Sequence, residues 1–345
     1  MQVLEQISLA PYTAFGIGGP ARWFVEASTE DEVLEAVNFA RQSNAPLFVL
    51  GGGSNLVVSD TGFPGIVLRI ALRGVEQQEA GGTVGFSVAA GEDWDVFVSN
   101  AVSQNCAGIE CLAGIPGTVG GTPVQNVGAY GQEVSETIRL VRALDLQRMQ
   151  FANLSANDCG FAYRRSIFNS SERGRYMVTR VGYQLTNGSD ALVSYVDLKR
   201  YFKEWTRKPT LSEVSLAVRE IRRQKGMLIV PGDPDCRSAG SFFKNPVISA
   251  EHFAQIAANV DGASVPGYPA ADGHVKVPAA WLLDQAGFHK GYALGRAGIS
   301  SRHTLALINR GGASADDIAA LRDAIIAKVS ERFAIRLEPE PVWVG

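Results

Sequence analysis

The chain has 345 residues, more than a single compact core usually holds, so two or three domains are expected. Its formal net charge of −3 excludes the broad basic surface of a typical nucleic-acid-binding protein. No apolar run approaches the ~18–20 residues that span a bilayer, and the N-terminal residues lack the basic start and apolar core of a signal peptide. These features predict a cytoplasmic protein.

Strand and helix signals alternate in the first third of the chain. Residues 22–28 predict a strand, and Thr29 with Glu32 forms a capping box that starts an amphipathic helix. A short buried strand at 46–50 then runs into three glycines, and another strand is predicted at 65–70. This pattern indicates a small α/β unit whose strand ends in a glycine turn.

The middle of the chain is richer in strands. Strands are predicted at 84–90, 141–146 and 177–185, with one helix at 94–105. A glycine-dense loop follows that helix, at 114–131. The composition of this region fits an α+β domain.

Helix signals dominate the last third. Thr210 with Glu213 and Ser314 with Asp317 form capping boxes that start two helices, the second of them long and amphipathic. Two further helices are predicted at 250–259 and 278–287. Two strands are predicted at 304–309 and 335–345. The four cysteines and four histidines are scattered without a metal-ligand spacing, so reduced thiols and no metal are expected.

Three glycine clusters are candidates for nucleotide binding. Residues 16–21 match G-x-G-x-x-A, but Pro20 interrupts them and a strand follows, which contradicts a Rossmann fingerprint. The segment 50–56 follows a buried strand, so its glycines either cradle a phosphate or form a tight turn. The loop 114–131 is dense in glycine and neutral hydrogen-bonding residues, so it is either a functional loop or a structural Ω-loop.

Five motifs in order resemble the UDP-N-acetylenolpyruvoylglucosamine reductase family. They are LGGGSN, GIPGTVGGTPVQNVGAYG, FAYRRSIF at 161–168, AGSFFKNP at 239–246 and LEPEP at 337–341. The resemblance covers essentially the whole chain, and five ordered motifs are more specific than any one of them. It implies bound FAD, with NADPH as the hydride donor.

The resemblance also implies a fold and a division of the chain. The fold is α+β, with an FAD-binding domain of the vanillyl-alcohol-oxidase type and a separate α+β substrate-binding domain. Residues 1–71, joined by the C-terminal strand 335–345, form one FAD-binding subdomain. Residues 72–209 form the second, and residues 210–334 form the substrate-binding domain. The expected partners are small molecules, and the chain is expected to be a monomer.

The flavin would lie on the two glycine loops in such a fold. The resemblance assigns the pyrophosphate to both loops and the ring to the residues that follow the second one. The implied cofactor-binding residues are Leu50, Gly51, Gly52, Gly53, Ser54, Asn55, Leu56, Gly117, Thr118, Gly120, Gln125, Asn126, Gly128 and Tyr130.

The implied reaction places three residues in catalytic roles. NADPH reduces the flavin, and the flavin N5 gives a hydride to the enolpyruvyl C3 of the UDP-sugar. Arg164 would clamp the substrate carboxylate, since a guanidinium can pair with both oxygens. Ser241 would give the proton to C2, although most serines in a Gly-Ser turn only shape the chain. Glu340, fixed between two prolines, would hold the site, with Glu338 as its competitor.

Five further residues are candidates for substrate contacts. The segment 192–202 resembles the family class in which a tyrosine folds over the substrate, which points to Tyr195. The basic cluster Arg222, Arg223 and Lys225 either binds the diphosphate or caps a helix C-terminus, with Lys225 closest to the family pattern. The remaining candidates are Tyr163, Asn245 and Gln285.

Two other functions remain open from the sequence alone. A flavin oxidase of the same fold would pass electrons to dioxygen and would not need Ser241 or Lys225. A non-enzymatic nucleotide-binding module would purify colourless and could not be reconstituted with FAD. The sequence does not decide the preference for NADPH over NADH, and the role of Arg165 is open.

Overall fold

A computed structural model describes residues 1–260 and 265–345. Its α-helices are α1 Glu30–Gln42, α2 Trp94–Ser103, α3 Val196–Tyr201, α4 Leu211–Gln224, α5 Ala250–Ala258, α6 Ala279–Gln285 and α7 Ala315–Phe333. In the described residues, no helix is both long and apolar enough to cross a membrane. The same residues contain no group of three or more His, Cys, Asp or Glu side chains that could hold a metal ion.

The strands are short except in the middle of the chain. They are β1 Val3–Ser8, β2 Pro20–Ala27, β3 Leu47–Leu50, β4 Leu56–Val58, β5 Phe63–Ile70, β6 Val75–Ala80, β7 Thr83–Ala89, β8 Cys106–Ala107, β9 Gly128–Ala129, β10 Gln132–Glu133, β11 Ile138–Asp145, β12 Gln150–Ser155, β13 Tyr176–Asn187, β14 Val247–Ile248, β15 Tyr268–Pro269, β16 Val275–Lys276, β17 Ala293–Leu294, β18 Ala297–Ile299, β19 Leu307–Asn309 and β20 Val342–Val344.

The described residues form two compact units. The first contains residues 1–7, 21–53 and 63–224, and the second contains residues 8–20, 54–62 and 225–345. The chain therefore enters the second unit three times, and its C-terminal residues belong there. The three-part division predicted from the sequence stays a proposal.

The first unit holds two larger sheets and the two-stranded hairpin β9-β10. One has the order β1-β2-β5-β3, in which β2 and β3 both run parallel to β5. Helix α1 belongs to this layer and buries Val33, Ala36, Val37 and Ala40. Its N-terminus is capped as predicted, because the Thr29 hydroxyl accepts the Glu32 N–H at 3.1 Å.

The second sheet of this unit is antiparallel. Its order is β12-β11-β13-β7-β6, and β8 also pairs with β13. Helix α2 contributes Trp94 and Phe97, whose rings lie 5.9 Å and 5.2 Å from the buried ring of Tyr183. These three aromatic side chains pack together in a core that is otherwise mainly aliphatic.

The second unit is built from small sheets around α7. Strands β14-β16-β15 and β17-β18-β19 form two three-stranded sheets, and β20 pairs in parallel with β4. Helix α7 buries Ile318, Leu321, Ile325 and Val329 along one face, as its sequence period predicts. Ser314 and Asp317 form the predicted capping box at its start.

The predicted elements are mostly confirmed, with shifts of one to three residues at their ends. The predicted strand 335–345 is wrong over most of its length, because only Val342–Val344 pairs as a strand. Pro339 and Pro341 lack the N–H groups that a ladder requires. The sequence signals missed β6, whose residues are all exposed and so carry no apolar alternation.

A buried carboxylate ties β11 to the start of β13. Asp145 is 1 % exposed and accepts hydrogen bonds from Arg175 at 2.8 Å and from the Gln147 N–H at 2.9 Å. The Arg175 guanidinium lowers the pKa of Asp145 to about 2, and the backbone donors add to this against the opposing effect of burial.

This pKa predicts how the stability of the protein depends on pH. Because the folded pKa lies below the ordinary ~3.9, the carboxylate stabilises the fold above about pH 4 and loses that effect as the pH falls towards about 2. Asp145→Asn should lower Tm by several degrees at pH 7, and the gap to the wild type should shrink as the pH falls from 4 to 2. A gap that is constant with pH, measured by thermal unfolding, would contradict this assignment.

Candidate active site

The two glycine loops of the first unit touch through their backbones. A Cβ added to Gly52 would lie 2.5 Å from the Gly117 Cα and 2.9 Å from the Thr118 nitrogen. A Cβ on the neighbouring Gly51 would lie 3.0 Å from the Thr118 hydroxyl. Only glycine allows this approach, so the loop after β3 and the loop before β9 form one backbone surface.

Two further glycines pack the second loop against the protein. A Cβ on Gly120 would lie 2.6 Å from the Ala90 Cβ, and one on Gly128 would lie 2.8 Å from the Glu133 side chain. A Cβ on Gly120 would therefore collide with Ala90, the residue that follows β7. A larger residue there would displace the loop itself.

The loop predicted at 114–131 ends in a tight hairpin. Strands β9 and β10 pair antiparallel, and the turn between them consists of Tyr130 and Gly131. Both turn residues have positive φ, 49° and 90°, as a type I′ turn requires. Tyr130 is a bulky residue in a backbone conformation that normally favours glycine or asparagine, and such residues cluster at functional sites.

Arg164 lies at a second tight turn. Ala162 and Arg165 exchange backbone hydrogen bonds of 2.9 and 3.0 Å, with Tyr163 and Arg164 between them. Arg164 has φ +55°, again a conformation unusual for a long side chain. Its guanidinium reaches the first hairpin, because a Cβ on Gly128 would lie 3.5 Å from Arg164 Nη1.

Side chains hold these two turns together. The Asn126 amide donates to Glu133 at 2.8 Å and to the Ala162 carbonyl at 3.1 Å. Its oxygen accepts the Ser135 N–H at 3.1 Å. Buried Ser166 donates to the Val124 carbonyl at 2.6 Å. Both amide hydrogens of Asn126 thus bond to the protein, and its predicted contact with the flavin stays a prediction.

Arg222 lies under the same loop. It is buried, donates from Nε to the Gly114 carbonyl at 2.9 Å and hydrogen-bonds Tyr130. Burial lowers the pKa of Arg222, and Tyr130 and Asp95 oppose that shift. Burial also raises the pKa of Tyr130 to about 12, so its phenol is neutral at pH 7. Asp95 completes the group by accepting from the Gly114 N–H and from Arg219.

These contacts correct the interpretation of the basic cluster. Arg222 supports the glycine loop, and Arg223 pairs with Glu220, three residues earlier on α4, at 2.9 Å. Lys225, the first residue of the last segment of the second unit, is half-buried. Of the three cations, Lys225 alone keeps the proposed role at a diphosphate.

The second unit brings the irregular segments of Ser241 and Glu340 side by side, and an isolated bridge joins Phe243 to Pro339. The Phe242 N–H donates to the Leu305 carbonyl, and its carbonyl accepts the Glu340 N–H, both at 2.8 Å. Ser241, which precedes Phe242, is therefore anchored directly beside the segment that carries Glu340. Rings of Phe242 and Phe243, 5.1 Å apart and buried, fix this backbone from below.

Asn55 links the first glycine motif to the same segment. Its side chain donates to the Glu340 carbonyl at 3.1 Å, and its own carbonyl accepts the Val342 N–H at 2.9 Å. The motif 50–56 therefore makes two kinds of contact. Gly51 and Gly52 contact the second loop, whereas Asn55 holds the backbone of Glu340.

Glu338 and Glu340 lie in different environments. Glu338 is exposed and forms an ion pair with Lys244. Glu340 is half-buried, between Pro339 and the buried Pro341. This difference separates two residues that the sequence left as competitors.

The remaining predicted residues are distributed over both units. Tyr163 and Tyr195, in the first unit, are 46 % and 43 % exposed. Asn245 accepts the Ala279 N–H at 2.9 Å and so caps the start of α6. Gln285 ends that helix, and its carbonyl accepts a hydrogen bond from Arg332.

Comparisons with known proteins decide the family. A model described as "FAD binding domain" matches residues 21–147, and one described as "UDP-N-acetylenolpyruvoylglucosamine reductase, C-terminal domain" matches residues 233–344. The UDP-N-acetylenolpyruvoylglucosamine reductase of Thermobifida fusca is 47 % identical over 99 % of this chain and 98 % of its own length. The protein of that name from Streptomyces coelicolor is 46 % identical over 100 % of this chain and 91 % of its own length. The chain belongs to the UDP-N-acetylenolpyruvoylglucosamine reductase family.

A solved member of the family has the same fold. The crystal structure of UDP-N-acetylenolpyruvylglucosamine reductase from Thermus caldophilus matches with a TM-score of 0.65 at 28 % identity, covering 100 % of both chains. The predicted α+β fold with an FAD-binding domain is confirmed, and so are the resemblance, the oxidoreductase class and the cofactor FAD.

The geometry of the first unit fits this cofactor. A pyrophosphate binds best where backbone N–H groups can approach it without intervening side chains. The contact of Gly51 and Gly52 with Gly117 and Thr118 provides such a surface. Arg222 and Asp95 hold the second glycine loop through the carbonyl and the N–H of Gly114. The sequence did not predict this support, because the burial of a charged residue at a helix end cannot be read from its type.

The glycine contact predicts a specific loss of flavin. Gly52→Ala should push the two loops apart, because its Cβ would lie 2.5 Å from Gly117. Overpacking of this kind costs about 1–3 kcal/mol, so FAD affinity should fall roughly tenfold or more. The ratio of flavin to protein absorbance in the purified protein measures the effect.

Gly85→Ala is the matched control. Its Cβ would meet only the Gln78 carbonyl, at an ordinary 3.6 Å, in a strand of the same unit. This variant should keep its flavin. Equal flavin content in Gly52→Ala and Gly85→Ala would remove the glycine contact from cofactor binding.

Proposed function

We propose that the chain reduces UDP-N-acetylglucosamine enolpyruvate to UDP-N-acetylmuramate with NADPH, in peptidoglycan precursor synthesis. The observation that carries the proposal is the pairing of the Ser241 and Glu340 segments, through the 2.8 Å hydrogen bond from Glu340 N to the Phe242 carbonyl. It gives an FAD-dependent enzyme a hydroxyl and a carboxylate on one rigid backbone. The cytoplasmic location and the monomeric state predicted from the sequence remain part of this proposal.

FAD, when bound, would take two electrons from NADPH and deliver a hydride from N5 to the enolpyruvyl C3. The task left to the protein is to stabilise the negative charge that develops at C2 and in the adjacent carboxylate, and to supply one proton to C2.

Arg164 would stabilise that charge. Its guanidinium is permanently cationic and can pair with both carboxylate oxygens as the enolate forms. The turn that carries Arg164 is held by Asn126 and Ser166, so the guanidinium starts from a fixed backbone. Such preorganisation is what allows a charged group to favour the transition state over the ground state.

Ser241 would supply the proton. A serine hydroxyl is a weak acid, but the carbanion next to a carboxylate is a strong base, so the transfer does not require an activated serine. Gly240 precedes Ser241 with φ +72°, and Phe242 follows with both backbone groups paired, which fixes the hydroxyl at the end of a turn. The alkoxide left behind is reprotonated from solvent between turnovers.

Glu340 would orient the hydrogen bonds around the reacting carbons. Its backbone is held on both sides, by Phe242 through its N–H and by Asn55 through its carbonyl. Two flanking prolines restrict it further. A carboxylate on so constrained a backbone can keep a neighbouring hydroxyl in one orientation.

The substrate contacts proposed from the sequence keep their assignments. Lys225 would bind the diphosphate, and Tyr163 and Tyr195 would contact the substrate from the first unit. Asn245 and Gln285 would contact the sugar or uracil. Asn245 already accepts a helix N–H through its oxygen, so it would act through its amide nitrogen.

Ser241→Ala is predicted to separate the two halves of the reaction. Reduction of the flavin by NADPH needs no proton from Ser241, so bleaching should stay near the wild-type rate. Transfer to the enolpyruvyl group should slow by about 10²–10⁴-fold, the usual contribution of a general acid. Stopped-flow absorbance of the flavin measures both steps anaerobically.

Ser241→Cys provides the control for this variant, because a thiol can also donate a proton. It should recover part of the second step. Equal slowing of both steps in Ser241→Ala would indicate a structural serine, and a normal second step would remove Ser241 from the mechanism.

Glu340→Gln and Glu338→Gln form a matched pair. The first removes a half-buried carboxylate and should slow the second half-reaction by about tenfold or more. The second breaks only an exposed ion pair with Lys244, so its rate should stay within roughly twofold of the wild type. The reverse order of the two effects, in the same stopped-flow assay, would transfer the role to Glu338.

A further inference from the structure

Glu110 is a buried carboxylate outside the residues assigned above. It is 1 % exposed and lies in the single turn Glu110–Leu112. One oxygen accepts the Gly108 N–H at 2.7 Å, and the other accepts the Leu192 N–H at 3.0 Å. Burying a carboxylate is costly unless it accepts hydrogen bonds, so this placement needs both donors.

The next residue binds the other side of the same peptide. The Cys111 thiol donates to the Leu192 carbonyl at 3.4 Å. Glu110 and Cys111 therefore satisfy the N–H and the carbonyl of Leu192, as a strand partner would. Leu192 lies in an irregular segment, residues 188–195, which leads into Tyr195 and has no regular ladder of its own. The side chains of the turn replace that ladder.

The same turn also holds the hairpin that carries Tyr130. The Cys111 N–H donates to the Gln132 side chain at 2.8 Å, and Gln132 is buried on β10. The hairpin and the segment 188–195 approach closely, since a Cβ on Gly131 would lie 2.4 Å from the Ser194 hydroxyl. One turn thus fixes the chain on both sides of the contact between Tyr130 and Tyr195.

That contact is an edge-to-face aromatic pair. The ring centroids of Tyr130 and Tyr195 are 5.6 Å apart at an interplanar angle of 85°. Tyr130 is buried and hydrogen-bonded to Arg222, whereas Tyr195 is 43 % exposed. The buried ring of Tyr130 therefore supports the exposed ring of Tyr195. The chain is held on both sides of Tyr195, at Leu192 before it and in helix α3 after it.

We propose that Glu110 is a positioning residue for Tyr195. By accepting the Leu192 N–H, its carboxylate anchors the segment 188–195, so that Tyr195 is presented against Tyr130 before a UDP-sugar binds. The role in substrate binding rests on the proposed function of Tyr195, whereas the anchoring of the segment does not. Preorganising a binding side chain raises affinity by lowering the entropy lost on binding.

Glu110→Gln is the test variant, because an amide keeps the size of the side chain but has only one acceptor oxygen. Its NH₂ would face either the Gly108 or the Leu192 N–H. Hydrogen exchange of the peptide that covers 188–195, measured by mass spectrometry on the FAD-bound protein, should quicken about tenfold, the change expected when one buried hydrogen bond is lost. Glu110→Ala removes both acceptor oxygens, so exchange that is unchanged in both Glu110→Gln and Glu110→Ala would overturn the anchoring.

Asp145→Asn is the matched control. Asp145 is an equally buried carboxylate that accepts two backbone N–H groups, from Gln147 and Arg148, but it does not touch the segment. This variant should lose stability without quickening exchange in 188–195. Equal quickening in both variants would mean that the effect of Glu110 is one of general stability, and would also overturn the proposal.

Calorimetric titration with UDP-N-acetylmuramate tests the second part. Glu110→Gln and Tyr195→Ala should each weaken binding by about tenfold, and the double variant should be no weaker than Tyr195→Ala alone. Additive losses would overturn action through Tyr195. A loss in Tyr195→Ala without one in Glu110→Gln would overturn this inference and leave the proposed function intact. No loss in either would overturn the positioning and the proposed role of Tyr195 together.

Discussion

Gly52 lies so close to Gly117 that the candidate site depends on Gly52 having no side chain. A Cβ on Gly52 would be 2.5 Å from the Gly117 Cα, so the loop that ends β3 and the loop that precedes β9 share one backbone surface. The second loop is then held from below by Gly120 on Ala90 and by Arg222 on the Gly114 carbonyl. The proposed FAD cradle is therefore made of backbone, and the surrounding side chains keep that backbone in place.

Two side chains with proposed roles, Tyr130 and Arg164, lie at the tight turns beside this proposed cradle. Tyr130 and Arg164 both have positive φ, a strained conformation for such large residues. Asn126 connects the two turns, and the turn at Glu110 fixes the approach to Tyr195. In the second unit, the segments of Ser241 and Glu340 are joined by backbone hydrogen bonds. These strained backbone conformations are maintained because several hydrogen bonds hold each turn.

Much of this was predictable from the sequence, but the support of the site was not. The cap at Thr29 and the capping box at Ser314 marked the starts of α1 and α7, because capping is local chemistry. The order of the five motifs indicated the family and, through it, the cofactor FAD. The contacts of Arg222, Asn126 and Glu110 depend on burial and on distant partners. Each of the three residues bonds to a group more than thirty residues away in the chain, as Glu110 does to Leu192. Neither composition nor periodicity carries that information. By contrast, Pro339 and Pro341, which have no N–H for a ladder, were a local signal that β20 is short.

The most direct test of the account is an anaerobic experiment with the wild-type enzyme. The FAD-bound protein is first bleached with one equivalent of NADPH and then mixed, without oxygen, with UDP-N-acetylglucosamine enolpyruvate, while the flavin absorbance is followed by stopped-flow. The account predicts that oxidised flavin returns in a single turnover with formation of one equivalent of UDP-N-acetylmuramate. A flavin that stays reduced with the UDP-sugar, and returns only when dioxygen is admitted, would contradict it and indicate an oxidase.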